Sequence, residues 1–231
     1  LDGEKGFFDS DQIIQAINPK NFYHSPMTKL VSLENTTNKG GGYCWDISEF
    51  EKIQKVCKEN ELGLHMDGAR IWNSIIAMNN DPKIYGNFFD TISVCLSKGL
   101  GCPIGSVLVG KGKVMEKAIR IRKILGGGMR QVGYLAAAGL YALQNNINRL
   151  SDDHRRAKEI AKKFSSKVIV NKINSVETNI ITVELNKSVN KQQIINHFTN
   201  HNVIFDWYSM GVQQIRIVTH LDYTEKDHED L

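Results

Sequence analysis

No run of about 18 consecutive apolar residues occurs in this 231-residue chain, so nothing in it reads as a membrane-spanning helix. Its start shows no signal-peptide pattern. Cysteine is scarce. Cys44, Cys57, Cys95 and Cys102 are the only four, and the second half has none. They lack metal-ligand spacing, so neither a zinc site nor a disulfide framework is expected. Four reduced thiols in a cytoplasmic protein are expected instead. Excess charge is also missing. The 29 basic and 25 acidic side chains leave a net +4, too little and too dispersed to suggest a nucleic-acid partner. The densest basic segment, Lys117 to Lys123 with Arg120 and Arg122, has helical spacing and reads as a solvated helix face. Repeats and low-complexity segments are absent.

What is present suits a globular protein, 41% hydrophobic and 23% charged. Helices are expected at 9–17, stopped before Pro19, and from Asp46 with a capping-box pattern of Asp46 and Glu49. Others are expected at 70–78, 113–125 and 129–147. The last is apolar nearly all round at Leu135, Ala138, Leu140, Tyr141 and Ala142, which predicts burial. Strands are expected at 29–33, 62–66, 91–96 and 106–109. Strand and helix alternate up to Asn148, which predicts a mainly parallel sheet covered by helices. A charged helix at 151–164 follows. Strands at 168–170, 179–185, 203–205 and 214–218 and a helix at 191–201 make a compact α+β unit. The domains expected are 1–148 and 149–231. The chain opens at Leu1 and stops just after Thr224–Asp227, which reads as the first turn of a capped helix. A piece of a longer protein is therefore expected, with the small domain incomplete at its end.

Lys98 carries the strongest chemical signal. It closes the run Thr91-Ile92-Ser93-Val94-Cys95-Leu96-Ser97 and precedes Gly99 and Gly101. The carboxyl ends of strands in open α/β sheets are where ligands bind, and a neutral amine there can attack a carbonyl. Taken alone, it also reads as a strand-end lysine pointing to water. Asp67, in His65-Met66-Asp67-Gly68-Ala69-Arg70, ends another short strand. It reads either as a helix N-cap or as a carboxylate awaiting a buried cation. An amine and an acid of this kind are what a pyridoxal phosphate site needs, one for the aldehyde and one for the ring nitrogen. Gly126-Gly127-Gly128 fits a phosphate cradle before a helix and equally a flexible link between two helices.

In order, Leu33-Glu34-Asn35-Thr36, His65 to Arg70, Leu96 to Ser106, Leu125-Gly126-Gly127-Gly128-Met129-Arg130-Gln131 and Ile215-Arg216-Ile217-Val218-Thr219-His220 resemble the low-specificity L-threonine aldolases. These belong to the beta-eliminating lyase superfamily and have the aspartate-aminotransferase-like fold (fold type I). The resemblance covers nearly the whole chain. It implies an α/β protein with a partial large domain and a smaller α+β domain. The implied reaction is pyridoxal 5'-phosphate-dependent cleavage of L-threonine or L-allo-threonine to glycine and acetaldehyde, by a homotetramer. Position by position, it implies that Lys98 carries the cofactor as a Schiff base and Asp67 pairs with the pyridine nitrogen. It implies that Arg70 approaches the phenolic oxygen side and Arg216 holds the substrate carboxylate. His24 would lie near the substrate hydroxyl, which a neutral imidazole could deprotonate. Arg130 would contact the substrate, across a subunit interface, with Lys123 as the weaker match. Taken alone, His24 also reads as an ordinary loop histidine, Arg216 as a strand arginine reaching solvent, and Arg130 and Lys123 as a solvated helix terminus. The family's Ser-Gly-Thr phosphate loop and ring-stacking histidine have no equivalent here; Ser106 follows Gly105 but lies after the lysine. The 231-residue chain is therefore expected to bind cofactor poorly on its own. The readings kept beside the aldolase are β-elimination, transamination, and a non-catalytic remnant.

Overall fold

A computed structural model describes residues 1–201, 203, 211 and 213–230. Seven strands and nine α-helices are described: α1 (Ser10–Ala16), β1 (Leu30–Glu34), α2 (Ile47–Glu59), β2 (Gly63–Gly68), α3 (Ile71–Met78), α4 (Pro82–Phe88), β3 (Thr91–Cys95), β4 (Ser106–Gly110), α5 (Gly112–Ile124), α6 (Gly133–Asn145), α7 (Leu150–Ser165), β5 (Val170–Ile173), β6 (Ile180–Leu185), α8 (Lys191–Asn200), β7 (Gln214–Val218) and α9 (Glu225–Asp230). Among the described residues no helix is long and apolar enough to cross a membrane. Of the strand expected at 203–205, residues 204 and 205 lie outside the described residues.

The first sheet has the order β1-β2-β3-β4. β1, β2 and β3 run parallel, and β4 returns antiparallel beside β3. The alternation of strand and helix dictates the parallel part, since a crossover is needed to bring each strand back in the same direction. Leu64 and Met66 of β2 pack with Phe50, Ile53 and Cys57 of α2 and Tyr85 of α4 in one core. Phe50, Ile53 and Met66 are fully buried, and each such side chain contributes about 1.5–3 kcal/mol of transfer free energy. The second sheet, β5-β6-β7, is antiparallel and is covered by α7. Ile181, Val183 and Leu185 of β6 meet Ala157 and Ile160 of α7 in a separate core.

Three expectations need correction. The helix expected at 129–147 starts only at Gly133, and it is not buried. Tyr134 is 92% exposed and Leu140 61%, with only Gly139 and Ala142 covered. An apolar surface needs a partner to bury against, and among the described residues that face has little. The Asp46–Glu49 capping box is half made: Asp46 accepts from Ser48 N, but Glu49 pairs with Lys52 instead. α4 was not foreseen, although Asp81 caps it and Pro82 opens it, the usual start signals. The basic segment of α5 is solvated as expected, with every residue of that helix outside the core.

Candidate active site at the carboxyl edge of the parallel strands

Register brings the acid and the lysine segment to one edge. Glu34 of β1 lies beside Asp67 of β2, and Asp67 lies beside Ser93 of β3. Strand β3 then runs into the turn that carries Lys98. The Asp67 side chain is exposed; its Oδ1 accepts from Ala69 N at 3.0 Å and from Ser93 Oγ at 3.5 Å. Gly68 is required at this turn, because a Cβ there would come within 2.6 Å of the Ser93 carbonyl oxygen. Lys98 is also exposed. With Arg70, Ser97 and His220 it lines a cavity of about 460 Å³. A larger cavity of about 660 Å³, between α7 and α8, is lined by Phe164, Ile169 and Ile194 and lies away from the strand edge.

Two guanidinium groups meet beside the cavity, and a residue that the sequence reading missed joins them. Asn38 Oδ1 accepts from Arg70 Nη1 at 3.0 Å and from Arg216 Nη2 at 2.5 Å. Asn38 is itself fixed, since its backbone N donates to Glu34 Oε2 at 2.8 Å. Burial, and after it the neighbouring Arg216 charge, lowers the Arg70 pKa below its ordinary value. Arginine nevertheless stays charged at neutral pH. Two like charges held close by a neutral acceptor make a site suited to a carboxylate or phosphate.

Other candidates lie elsewhere. His24 sits on the exposed loop between α1 and β1, its ring 3.9 Å from that of Tyr23. It is not among the residues lining the Lys98 cavity, whereas His220 is. The His220 ring is oriented by the Asp222 N–H, which donates to Nδ1 at 3.2 Å. Arg130 and Lys123 are exposed around the α5–α6 turn and do not line the cavity either. The three glycines of that turn end a helix. Gly126 has φ +84°, and Gly127 N donates to Arg122 O at 2.8 Å, a left-handed C-cap.

The chemistry of these groups fits an anionic aldehyde cofactor: an amine for the aldehyde, a carboxylate for a protonated ring nitrogen, and guanidinium groups for negative charge; Lys98 and Arg70 line the cavity, whereas Asp67 and Arg216 are not among its lining residues. Among the described residues no cluster of His, Cys, Asp and Glu could hold a metal ion.

The chain is 38% identical over 228 residues to low-specificity L-threonine aldolase 1 of Arabidopsis thaliana, covering 97% of this chain and 63% of that protein. It is 37% identical over 221 residues to a low specificity L-threonine aldolase of Escherichia coli O157:H7, covering 96% and 63%. The chain thus spans less than two thirds of the length of these relatives. Among solved structures, a Leishmania major threonine aldolase superposes with a TM-score of 0.78 at 19% identity, covering 100% of this chain and 67% of that one. A histidinol-phosphate aminotransferase from Clostridium acetobutylicum gives 0.67 at 14% identity, covering 99% and 66%. These two share the aspartate-aminotransferase-like fold, and so does this chain. The family model for beta-eliminating lyases matches residues 1–188. With most of its length inside that match, the chain belongs to the beta-eliminating lyase family.

Proposed function

We propose that the chain carries the catalytic part of a low-specificity L-threonine aldolase. This lyase cleaves L-threonine or L-allo-threonine to glycine and acetaldehyde with pyridoxal 5'-phosphate. One observation carries the reading: Lys98 and Arg70 line a single cavity at the edge where the Asp67 strand ends. When bound, the cofactor supplies an electron sink for the pair left on the substrate α-carbon. Lys98 would hold its aldehyde end through the side-chain amine. Asp67 would hold the protonated ring nitrogen, and Arg70 would hold the phenolic oxygen side. Arg216 fixes the substrate carboxylate through two parallel N–H···O bonds and so sets the rotamer about Cα–Cβ. Arg130 is assigned to the substrate as well, from a second copy of the chain, and Lys123 is a weaker neighbour.

His24 is proposed to take the β-hydroxyl proton as the Cα–Cβ bond breaks and acetaldehyde leaves; glycine follows on protonation of the α-carbon. His220 is the competing imidazole, favoured by its place in the cavity. The same reading includes a division near residue 149 between a cofactor-binding unit and a small unit. It also includes assembly as a homotetramer, a cytoplasmic location, and a role in threonine breakdown and glycine formation.

In the test, the whole protein is loaded with pyridoxal phosphate and given L-threonine. Glycine and acetaldehyde are expected in equal amounts, and Lys98→Ala should abolish both. Glycine release that survives Lys98→Ala sinks the assignment. Pyruvate or an oxo acid as product replaces cleavage with β-elimination or transamination, and no product at all favours a non-catalytic remnant. Comparing His24→Gln with His220→Gln identifies the base, whose loss should lower kcat by about 10²–10⁴-fold.

A further inference from the structure

The segments carrying Lys98, Arg70 and Arg216 are far apart in the sequence, yet all three reach the start of α7. The turn 98–101 is closed by Gly101 N, which donates to Lys98 O at 2.8 Å. Arg149, the residue just before α7, donates from Nη1 to the Gly99 carbonyl at 3.2 Å. Its Nη2 is bonded to Asp153 Oδ1, one helical turn on. Asn146 Nδ2 holds the Leu100 carbonyl at 2.8 Å. Leu150 closes the other side, since a Cβ on Gly99 would sit 2.7 Å from its Cδ2.

The same helix start reaches the other two segments. Thr219 follows β7, the strand of Arg216, and its Oγ1 donates to the Asp153 carbonyl at 2.7 Å. His154 Nε2 lies 3.0 Å from Oδ1 of Asn73, on the helix that Arg70 begins. Asp153 is fully buried, and its Oδ2 has no hydrogen-bond partner among the described residues. A buried carboxylate with an unpartnered oxygen is costly, and the cation bonded to this one is the arginine that grips the lysine turn.

We infer that the Arg149–Asp153 pair is a positioning device that holds the Lys98 turn in register with the arginine-bearing strand, so that the Lys98 amine faces an incoming aldehyde. The inference rests on the proposed role of Lys98. Among the described residues Arg149 meets the lysine turn at the Gly99 carbonyl, behind the amine, so it acts through the turn and not on the substrate.

The test reads the amine directly. The whole protein is mixed with pyridoxal phosphate, and the amine–aldehyde condensation product, formed with loss of water, is reduced by borohydride to a stable secondary amine. Peptide mass spectrometry then gives the rate of labelling at each lysine. Labelling at Lys98 should fall on the order of tenfold in Arg149→Met, the scale expected when a reacting group is misplaced. Exposed Lys111 and Lys167 should be unchanged. Added ethylguanidinium should restore part of the Lys98 rate in Arg149→Met, a rescue that a merely destabilised fold would not show. If Arg149→Met does not fold, Asp153→Asn carries the same comparison, since it keeps the shape and removes the charge that orients Arg149. Equal Lys98 labelling in parent and variant overturns the inference, and so does a loss shared by all lysines. Failure to label Lys98 in the whole parent protein instead overturns the proposed role of Lys98.

Discussion

His154 is buried, and burial, with the Lys158 charge second, pushes its imidazole pKa down to about 4. The unfolded chain, with an ordinary histidine near 6.5, binds more protons between these values. The stability present above about pH 6.5 is therefore lost as pH falls toward 4, at up to about 1.4 kcal/mol per unit. Urea unfolding at pH 7 and pH 5 should show a larger drop for the parent than for His154→Gln, and equal drops would refute this. Single residues also show what the sequence made legible. Lys98, Asp67, Arg70 and Arg216 stand at the ends of patterned strands or in recognisable motifs; the structure brings the segments of the first three to one edge of the first sheet, and Asn38 ties Arg216 of the second sheet to Arg70. Asn38 gave no such signal. It sits in an unpatterned loop, and its two arginine partners lie 32 and 178 positions away. Arg149 and Asp153 have helical i,i+4 spacing, but the Gly99 carbonyl that gives the pair its meaning is 50 positions distant.

Strands were read more faithfully than helix surroundings. β2 and β3 follow from short apolar runs that stop at Gly68 and before Lys98, because a strand needs only its own alternation and a ladder partner. Burial of α6 could not be read the same way, since periodicity reports which residues are apolar and not whether a surface comes to meet them. α4 escaped notice because it is only seven residues long and contains Gly86, a poor helix former. The β2–β3 ladder offers a sharp test. Gly68→Ala would place a methyl 2.6 Å from the Ser93 carbonyl oxygen and 3.2 Å from Ile71 Cβ. Neither neighbour is the end of a flexible chain, so the strands must part locally. The expected loss is about 1–3 kcal/mol, read as a lower denaturant midpoint with unchanged slope. A midpoint within error of the parent would show that the ladder can open freely.

Over the whole molecule, the two sheets are joined by a compact set of polar contacts. Thr178 Oγ1 donates to the Gly42 carbonyl at 2.6 Å, Cys44 N donates to Glu177 Oε2 at 2.9 Å, and Ser175 Oγ donates to Tyr43 Oη at 3.2 Å. Thr178 is fully buried. Thr178→Val keeps the shape and removes the donor, so it should cost about 1–3 kcal/mol; Ser175→Ala, at an exposed site, should cost less. Thermal unfolding of both variants checks the order, and a Thr178→Val protein as stable as the parent would mean that water replaces the bond. The acid of the proposed site is bound to the core by simple geometry. Met66 and Asp67 are adjacent on β2, one fully buried and one facing outward. A slip of the ladder by a single residue would exchange them, drowning a carboxylate in hydrocarbon and leaving a thioether in water. Selection for a dry interior therefore also preserves the aim of the carboxylate, even in descendants that no longer need its chemistry.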